Sequence, residues 1–176
     1  LVKPSFMHTL GLTEKGYILL TINRHALLKD EDKLKTLFNT LMEHTDLPIV
    51  APLRGYVKEK LDEWGIHSTR LHLLPPQPYS AFGYLVNHAK AIVTDSGNIA
   101  EEATFLNLPC ITLNSYAEHP ETVTIGTNQL VGEDPQALAD ALDTLSQGRW
   151  KKGHLPERWD GRTAERIVQT LLDIFE

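Results

Sequence analysis

Residues 95–103 read Asp-Ser-Gly-Asn-Ile-Ala-Glu-Glu-Ala and follow, after Thr94, on the apolar run Ala91 to Val93. That order predicts a strand end, a tight polar turn and a helix. Asn98 followed three residues later by Glu101 is a capping-box spacing, which sets the expected helix start at Ile99. The amides of Ser96, Gly97 and the first helical turn then point outward past the strand's carboxyl end. Unpaired N–H groups and the positive end of a helix dipole suit a phosphate. Gly97 lets backbone and ligand approach closely, because no Cβ stands between them. Glu101 and Glu102 lie about 100° apart around a helix and cannot share one task. Glu101 is therefore assigned to the cap, and Glu102 is left to accept hydrogen bonds from sugar hydroxyls. A well-capped turn without any ligand meets the same spacing, so the pattern alone leaves both readings open.

The flanking elements have to bring this turn to an accessible edge. A short helix is expected over Ser5–Leu10, then an apolar strand over Tyr17–Ile22 and a polar loop from Asn23 to Asp30. The 3.6-residue period of Leu34, Leu37, Phe38 and Leu41 predicts a helix over Glu31–His44. Further strands are expected over Pro48–Ala51, Leu71–Leu74, Ala91–Thr94, Pro109–Leu113 and Asn128–Val131. Helices are expected over Gly55–Trp64, Tyr79–His88, Pro135–Leu145 and Arg162–Phe175. Asp134 before Pro135 makes a good N-cap with proline in the first helical position. Glu121–Ile125 reads as a turn or short helix, and Gly148–Gly161 as irregular. Repeated strand–helix alternation predicts an α/β fold with a parallel sheet covered on both faces. In such a sheet a ligand lies beyond the strands' carboxyl ends, near the reversal of strand order.

Composition narrows the function classes. The net charge of −6 gives no basic surface for nucleic acid. The sequence has no G-x-G-x-x-G and no G-K-[ST] loop, which argues against a dinucleotide site and against the common NTPases. Eight scattered histidines offer no metal-ligand spacing, and the single Cys110 sits in an apolar run as a core thiol. Without a signal sequence or an apolar run of membrane length, the expected location is the cytoplasm, with no membrane partner. The start at Leu1, without Met, suits a fragment cut at a domain boundary.

Thr94-Asp95-Ser96-Gly97 with Glu101-Glu102-Ala103, then Leu106-Asn107-Leu108-Pro109 and Glu118-His119-Pro120-Glu121, resembles the C-terminal domain of the non-hydrolysing UDP-N-acetylglucosamine 2-epimerases. Trp159 to Ile167 is similar to the segment that opens the family's last helix, and the resemblance extends from about Tyr17 to Leu172. It implies a Rossmann-like doubly wound parallel sheet, one half of a glycosyltransferase-B type two-domain fold. On this reading residues 1–176 are the UDP-binding domain, with 1–16 an interdomain linker, 162–176 a terminal helix, and the N-terminal domain absent.

For the site, the resemblance implies that Ser96, Gly97 and Asn98 hold the diphosphate and that Glu102 holds the ribose. Phe82 stands where the family packs an aromatic on uracil; a place in the core is the competing view. Thr21-Ile22-Asn23-Arg24 matches the family's T-x-H-R, with Arg24 kept and Asn23 in place of the histidine. His25 lies two positions further on, and Ala26 and Leu27 replace the family's Glu and Asn. An imidazole holds charge near neutral pH and an amide does not, so this catalytic pair, Asn23 and Arg24, is degraded. Arg54 replaces a histidine near the phosphate, or is a solvated surface arginine. Asn114, counted among the UDP-binding positions, and His119 each replace an arginine.

The implied activity is 2-epimerisation of UDP-GlcNAc by elimination and re-addition of UDP, in cell-surface polysaccharide synthesis. It needs no cofactor and no metal. Proton abstraction would fall to carboxylates of the N-terminal half, so the fragment alone is expected to fold and to be inactive. The expected partners are a UDP-sugar, the absent N-terminal domain and, for the full-length protein, a second copy. Two alternatives stay open: a UDP-sugar glycosyltransferase of the same fold, and a paralogue that binds the UDP-sugar with impaired catalysis.

Overall fold

The computed structural model describes residues 3–175. Leu1, Val2 and Glu176, at the outer ends of the expected linker and terminal helix, lie outside the described residues. Six strands, β1 (Ile18–Thr21), β2 (Ile49–Pro52), β3 (Leu71–Leu74), β4 (Ala91–Thr94), β5 (Cys110–Thr112) and β6 (Asn128–Leu130), form one parallel sheet in the order β3-β2-β1-β4-β5-β6. The chain moves outward from β1 on one side and returns to start again at β4. The reversal of strand order therefore falls between β1 and β4, as a doubly wound sheet requires.

The inner strands β1, β2 and β4 read as nearly unbroken apolar runs because both faces of the sheet are covered there, yet their side chains still alternate. Ile18 and Leu20 face one buried cluster, whereas Tyr17 and Leu19 face the other. The first cluster packs on helices α3 (Glu31–His44), α4 (Gly55–Glu63) and α8 (Pro135–Ser146), through Leu34, Phe38, Leu61 and Leu142. The second packs on α1 (Phe6–Thr9), α5 (Tyr79–His88) and α6 (Gly97–Phe105), through Met7, Leu85, Ala100 and Ala103. The expected cap of α8 is present, with the Asp134 side chain accepting from the Gln136 amide.

Two expectations are corrected. The segment expected as a polar loop from Asn23 to Asp30 contains a helix, α2 (His25–Lys29). Leu27 and Leu28 are buried in the first cluster, and burying that adjacent pair draws the chain into a turn of helix. Helix α6 begins at Gly97, two residues before the expected Ile99, with Ser96 as N-cap and no side-chain cap. Glu101 is then past the first turn and out of capping reach. Its carboxylate instead lies 3.0 Å from Nε2 of His119.

Residues 149–154 strap back across the start of β6. Trp150 donates from Nε1 to the Thr127 carbonyl at 2.8 Å, and the His154 amide donates to the Ile125 carbonyl at 3.1 Å. Gly153 lies so close to this backbone that a Cβ there would come within 2.6 Å of the Gly126 carbonyl carbon. Gly153→Ala is expected to cost about 1–3 kcal/mol by overpacking, read in urea unfolding. An unchanged transition would show that the strap does not press on Gly126.

The helices that follow β6 are α8 and, after the strap, α9 (Thr163–Phe175), with the short helix α7 (Glu121–Thr124) preceding that strand. Helix α9 buries none of its residues. Ile167, Val168, Leu171, Leu172, Ile174 and Phe175 are all exposed. Arg166 anchors its start with a two-pronged contact to Asp160, at 2.9 and 2.5 Å, which holds the Asp160 carboxyl well below the usual carboxylate range. Among the described residues no helix is long and apolar enough to cross a membrane.

Candidate functional site

The loops after β1, β4 and β5 meet at the carboxyl edge of the sheet, on either side of the strand-order reversal. Asp95, at the end of β4, organises them. Its carboxylate is buried, at 7% exposure, and accepts the Asn23 amide at 3.0 and 2.8 Å and the Arg24 amide at 2.6 Å. A carboxylate that accepts backbone amides makes a charge-assisted bond of about 1.5–3 kcal/mol. Below it, the hydroxyls of Thr21 and Thr94 are 2.7 Å apart, and Thr94 Oγ1 accepts the Ser96 amide at 3.0 Å. The two strand ends are thereby pinned side by side.

Ser96 and Gly97 are half-buried and Asn98 is exposed, so the bend faces the edge of the sheet and not the core. The expectation of a free Ser96 amide is corrected, because Thr94 takes it. Among the described residues the amides of Gly97, Asn98 and Ile99 have no acceptor. They are the open donors at the start of α6. Gly97 lines a narrow crevice, with room for little more than one water, together with Thr112, Asn114, Glu118 and His119. A Cβ on Gly97 would lie 3.0 Å from Glu118 Oε2, so the Glu118 carboxylate hangs over the bend.

Asn114, just after β5, donates from Nδ2 to the Asp95 carbonyl at 3.0 Å and accepts Arg24 Nη1 at Oδ1 at 3.1 Å. Arg24 Nη1 also donates to the Leu113 carbonyl at 3.3 Å. Its Nη2 lies 3.6 Å from Glu133, whose other oxygen holds Lys33 at 2.6 Å. That bond keeps the Lys33 ammonium above its ordinary value. Glu102 is half-buried on α6. Burial, and then the neighbouring charge of Glu101, push its carboxyl above the ordinary range.

The structure thus brings Asn23, Arg24, Ser96, Gly97 and Asn114 into one cluster. Arg54 and Phe82 are outside it. Arg54 is the exposed N-cap of α4 after β2, and Phe82 lies in the first turns of α5 after β3, packed against the second core cluster. Neither shares a hydrogen bond or a wall of the crevice with the cluster. Asp95 and Glu118 were read in the sequence only as members of the Thr94-Asp95-Ser96-Gly97 and Glu118-His119-Pro120-Glu121 patterns and were given no role of their own. Glu133 was missed, since its partners are set by tertiary contact. Cys110 is fully buried in β5, and burial pushes its thiol up to about 12, so it is no nucleophile.

Comparison with known proteins gives the family and the fold. The family model described as UDP-N-acetylglucosamine 2-epimerase matches residues 2–172. The chain is 34% identical to the UDP-N-acetylglucosamine 2-epimerase of Escherichia coli K12, over 90% of this chain and 44% of that protein. It is 32% identical to that of Methanocaldococcus jannaschii, over 90% of this chain and 45% of the relative. The crystal structure of the M. jannaschii UDP-GlcNAc 2-epimerase in complex with UDP-GlcNAc and UDP superposes with a TM-score of 0.73 at 30% identity, covering 97% of this chain and 49% of that one. The chain spans about half the length of the curated relatives it matches.

Proposed function

Because the chain belongs to the UDP-N-acetylglucosamine 2-epimerase family, we propose that residues 1–176 form the UDP-holding domain of such an enzyme. The observation that carries this reading is the Ser96-Gly97 bend. The amides of Gly97, Asn98 and Ile99 are uncommitted at the carboxyl edge beside the strand-order reversal, and Gly97, without a Cβ, lines a crevice there. In this reading Gly97, Asn98 and their amides hold the diphosphate and Glu102 accepts from the ribose, while Phe82 and Arg54, outside the cluster, are kept as the positions that the resemblance gives to the uracil and the phosphate. Arg24 supplies the permanent cation of the degraded catalytic pair, and Asn23 offers no proton.

Epimerisation would proceed by loss of UDP from UDP-GlcNAc to leave a 2-acetamidoglucal, then re-addition of UDP to give the manno epimer. The proton at C2 would be moved by carboxylates in the half of the relatives that this chain does not match. Residues 1–176 alone therefore bind UDP and do not epimerise. The apolar stripe of α9 is a surface for that other half, and no cofactor or metal enters the scheme. The expected setting is the cytoplasm, where nucleotide sugars are made, and a full-length homodimer is the expected assembly.

Titration calorimetry on the purified chain is the test, with UDP, UMP and uridine as separate arms. UDP is expected to bind at least about tenfold more tightly than uridine, equivalent to about 1.4 kcal/mol. Equal affinity for UDP and uridine, or no binding of UDP, would overturn the reading; turnover of UDP-GlcNAc by the same preparation would overturn the division of labour.

A second reading, binding with impaired catalysis, is favoured by one observation. His119 lies between Glu101 at 3.0 Å and Glu121 at 3.8 Å and is tied up in protein contacts. In that case even the full-length protein would bind UDP-GlcNAc without converting it.

The raised carboxyl of Glu102 predicts a pH dependence. Its protonated form persists to higher pH than an ordinary glutamate, so on acidification the charged acceptor is lost early. UDP affinity is expected to fall several-fold as pH drops into that window, and Glu102→Gln is expected to flatten the profile. Parallel profiles for the two proteins would remove Glu102 from the ribose site.

A further inference from the structure

The side chain of Asn114 has a task other than touching the ligand. Its planar amide carries a donor at one end and an acceptor at the other. The Asp95 carbonyl can only accept and the Arg24 guanidinium can only donate, so these two partners fix which way the amide is turned. Asn114 therefore spans from the Asp95–Ser96–Gly97 bend to the arginine of the β1 loop. Its own carbonyl accepts the Gly132 amide at 3.2 Å, which ties the same residue to the end of β6.

Arg24 is held on two sides by this arrangement. Nη1 is committed to Asn114 and the Leu113 carbonyl, while Nη2 stands at 3.6 Å from Glu133. Glu133 binds Lys33 much more closely, at 2.6 Å, so most of its charge is spent there. Arg24 keeps donors to spare, and its charge is only partly neutralised. Its side chain is 43% exposed. A guanidinium on a long flexible stem has many orientations in water, and an acceptor in a fixed position reduces them.

We propose that Asn114 is a positioning residue that aims Arg24 at the diphosphate held by the Ser96-Gly97 bend. The proposal rests on the UDP-binding reading above and changes the role assigned to Asn114 within it. Neither Leu nor Asp at this position can do the same. Leucine offers no polar atom, and a carboxylate accepts from Arg24 but faces the Asp95 carbonyl with a second acceptor.

A double-substitution cycle on UDP affinity separates aiming from contact. UDP binding is measured by calorimetry for the parent chain, Asn114→Ala, Arg24→Ala and the double variant, with thermal midpoints for all. If Asn114 acts through Arg24, Arg24→Ala weakens UDP by about thirtyfold and Asn114→Ala by about tenfold. The double variant then binds as Arg24→Ala does, within about threefold, and the midpoints stay within about 2 °C. If the two losses multiply, Asn114 meets the ligand or shapes the bend independently, and the proposal is overturned. It is overturned as well if Asn114→Ala binds UDP like the parent while Arg24→Ala does not. Failure of the underlying reading has a different signature: the parent chain does not bind UDP, or Arg24→Ala binds it unchanged, and the proposal falls with that reading.

Discussion

Asp95→Ala will lower the unfolding free energy of the chain by about 2–4 kcal/mol and abolish measurable UDP binding. The carboxylate accepts two backbone amides through three short contacts, from residues far away in the sequence. Each charge-assisted bond contributes about 1.5–3 kcal/mol. Asn23 and Arg24 are exposed, so water recovers part of that loss when the carboxylate is removed. What water cannot restore is the pinning of the β1 loop against the β4 turn. Asp95→Asn should fall between parent and alanine, since one oxygen still accepts and the charge is gone. Urea unfolding and UDP calorimetry give the two readouts. A cost below about 0.5 kcal/mol for the alanine variant would mean that the loop is held by its own helix α2 and not by Asp95.

Gly97→Val should show the opposite balance, a small change in stability and a large change in binding. Gly97 is not in the left-handed region, so a side chain does not strain the backbone. The nearest obstacle is the end of the exposed Glu118 side chain, at 3.0 Å from the new Cβ, and it can move aside cheaply. The folding cost should stay below about 1 kcal/mol. On the proposed reading, the added methyls stand where the diphosphate approaches the amides of the first turn of α6. UDP affinity is expected to fall at least about 100-fold, which is about 2.7 kcal/mol. If the Gly97→Val variant binds UDP within about threefold of the parent, this backbone is not part of the site.

How much of this was legible in the sequence depended on the range of the interaction. The parallel sheet was legible because Ile18 to Thr21, Ile49 to Ala51 and Ala91 to Thr94 are apolar runs too short for helices and separated by helical periods. The start of α8 was legible because Asp134 and Pro135 act on their own neighbours. The start of α6 was misplaced for the converse reason. Asn98 and Glu101 have the spacing of a local cap, but the turn is held by Thr94 below and by Asp95 through Asn23 across the sheet. The helix starts at Gly97, and the Asp95–Asn23 tie lies in no window of neighbouring residues. The site shows the same division. Ser96, Gly97 and Asn114 were picked out by their type and place in a pattern. Glu133 was not, since what makes it notable is what folding sets beside it, and Glu118 was read as part of a pattern without its place over the bend.

Cys110 has a practical consequence. It is the single cysteine of the chain, it is completely buried in the strand beside β4, and its thiol is almost never ionised at neutral pH. A thiol-reactive dye can label it only in molecules whose sheet has come apart, so the labelling rate counts openings at β5, the strand that leads to Asn114. Any nucleotide that binds the closed form alone will slow the dye by a factor of one plus its concentration over its Kd. Affinity can then be read from a colour change in the unaltered chain, without a catalytic assay.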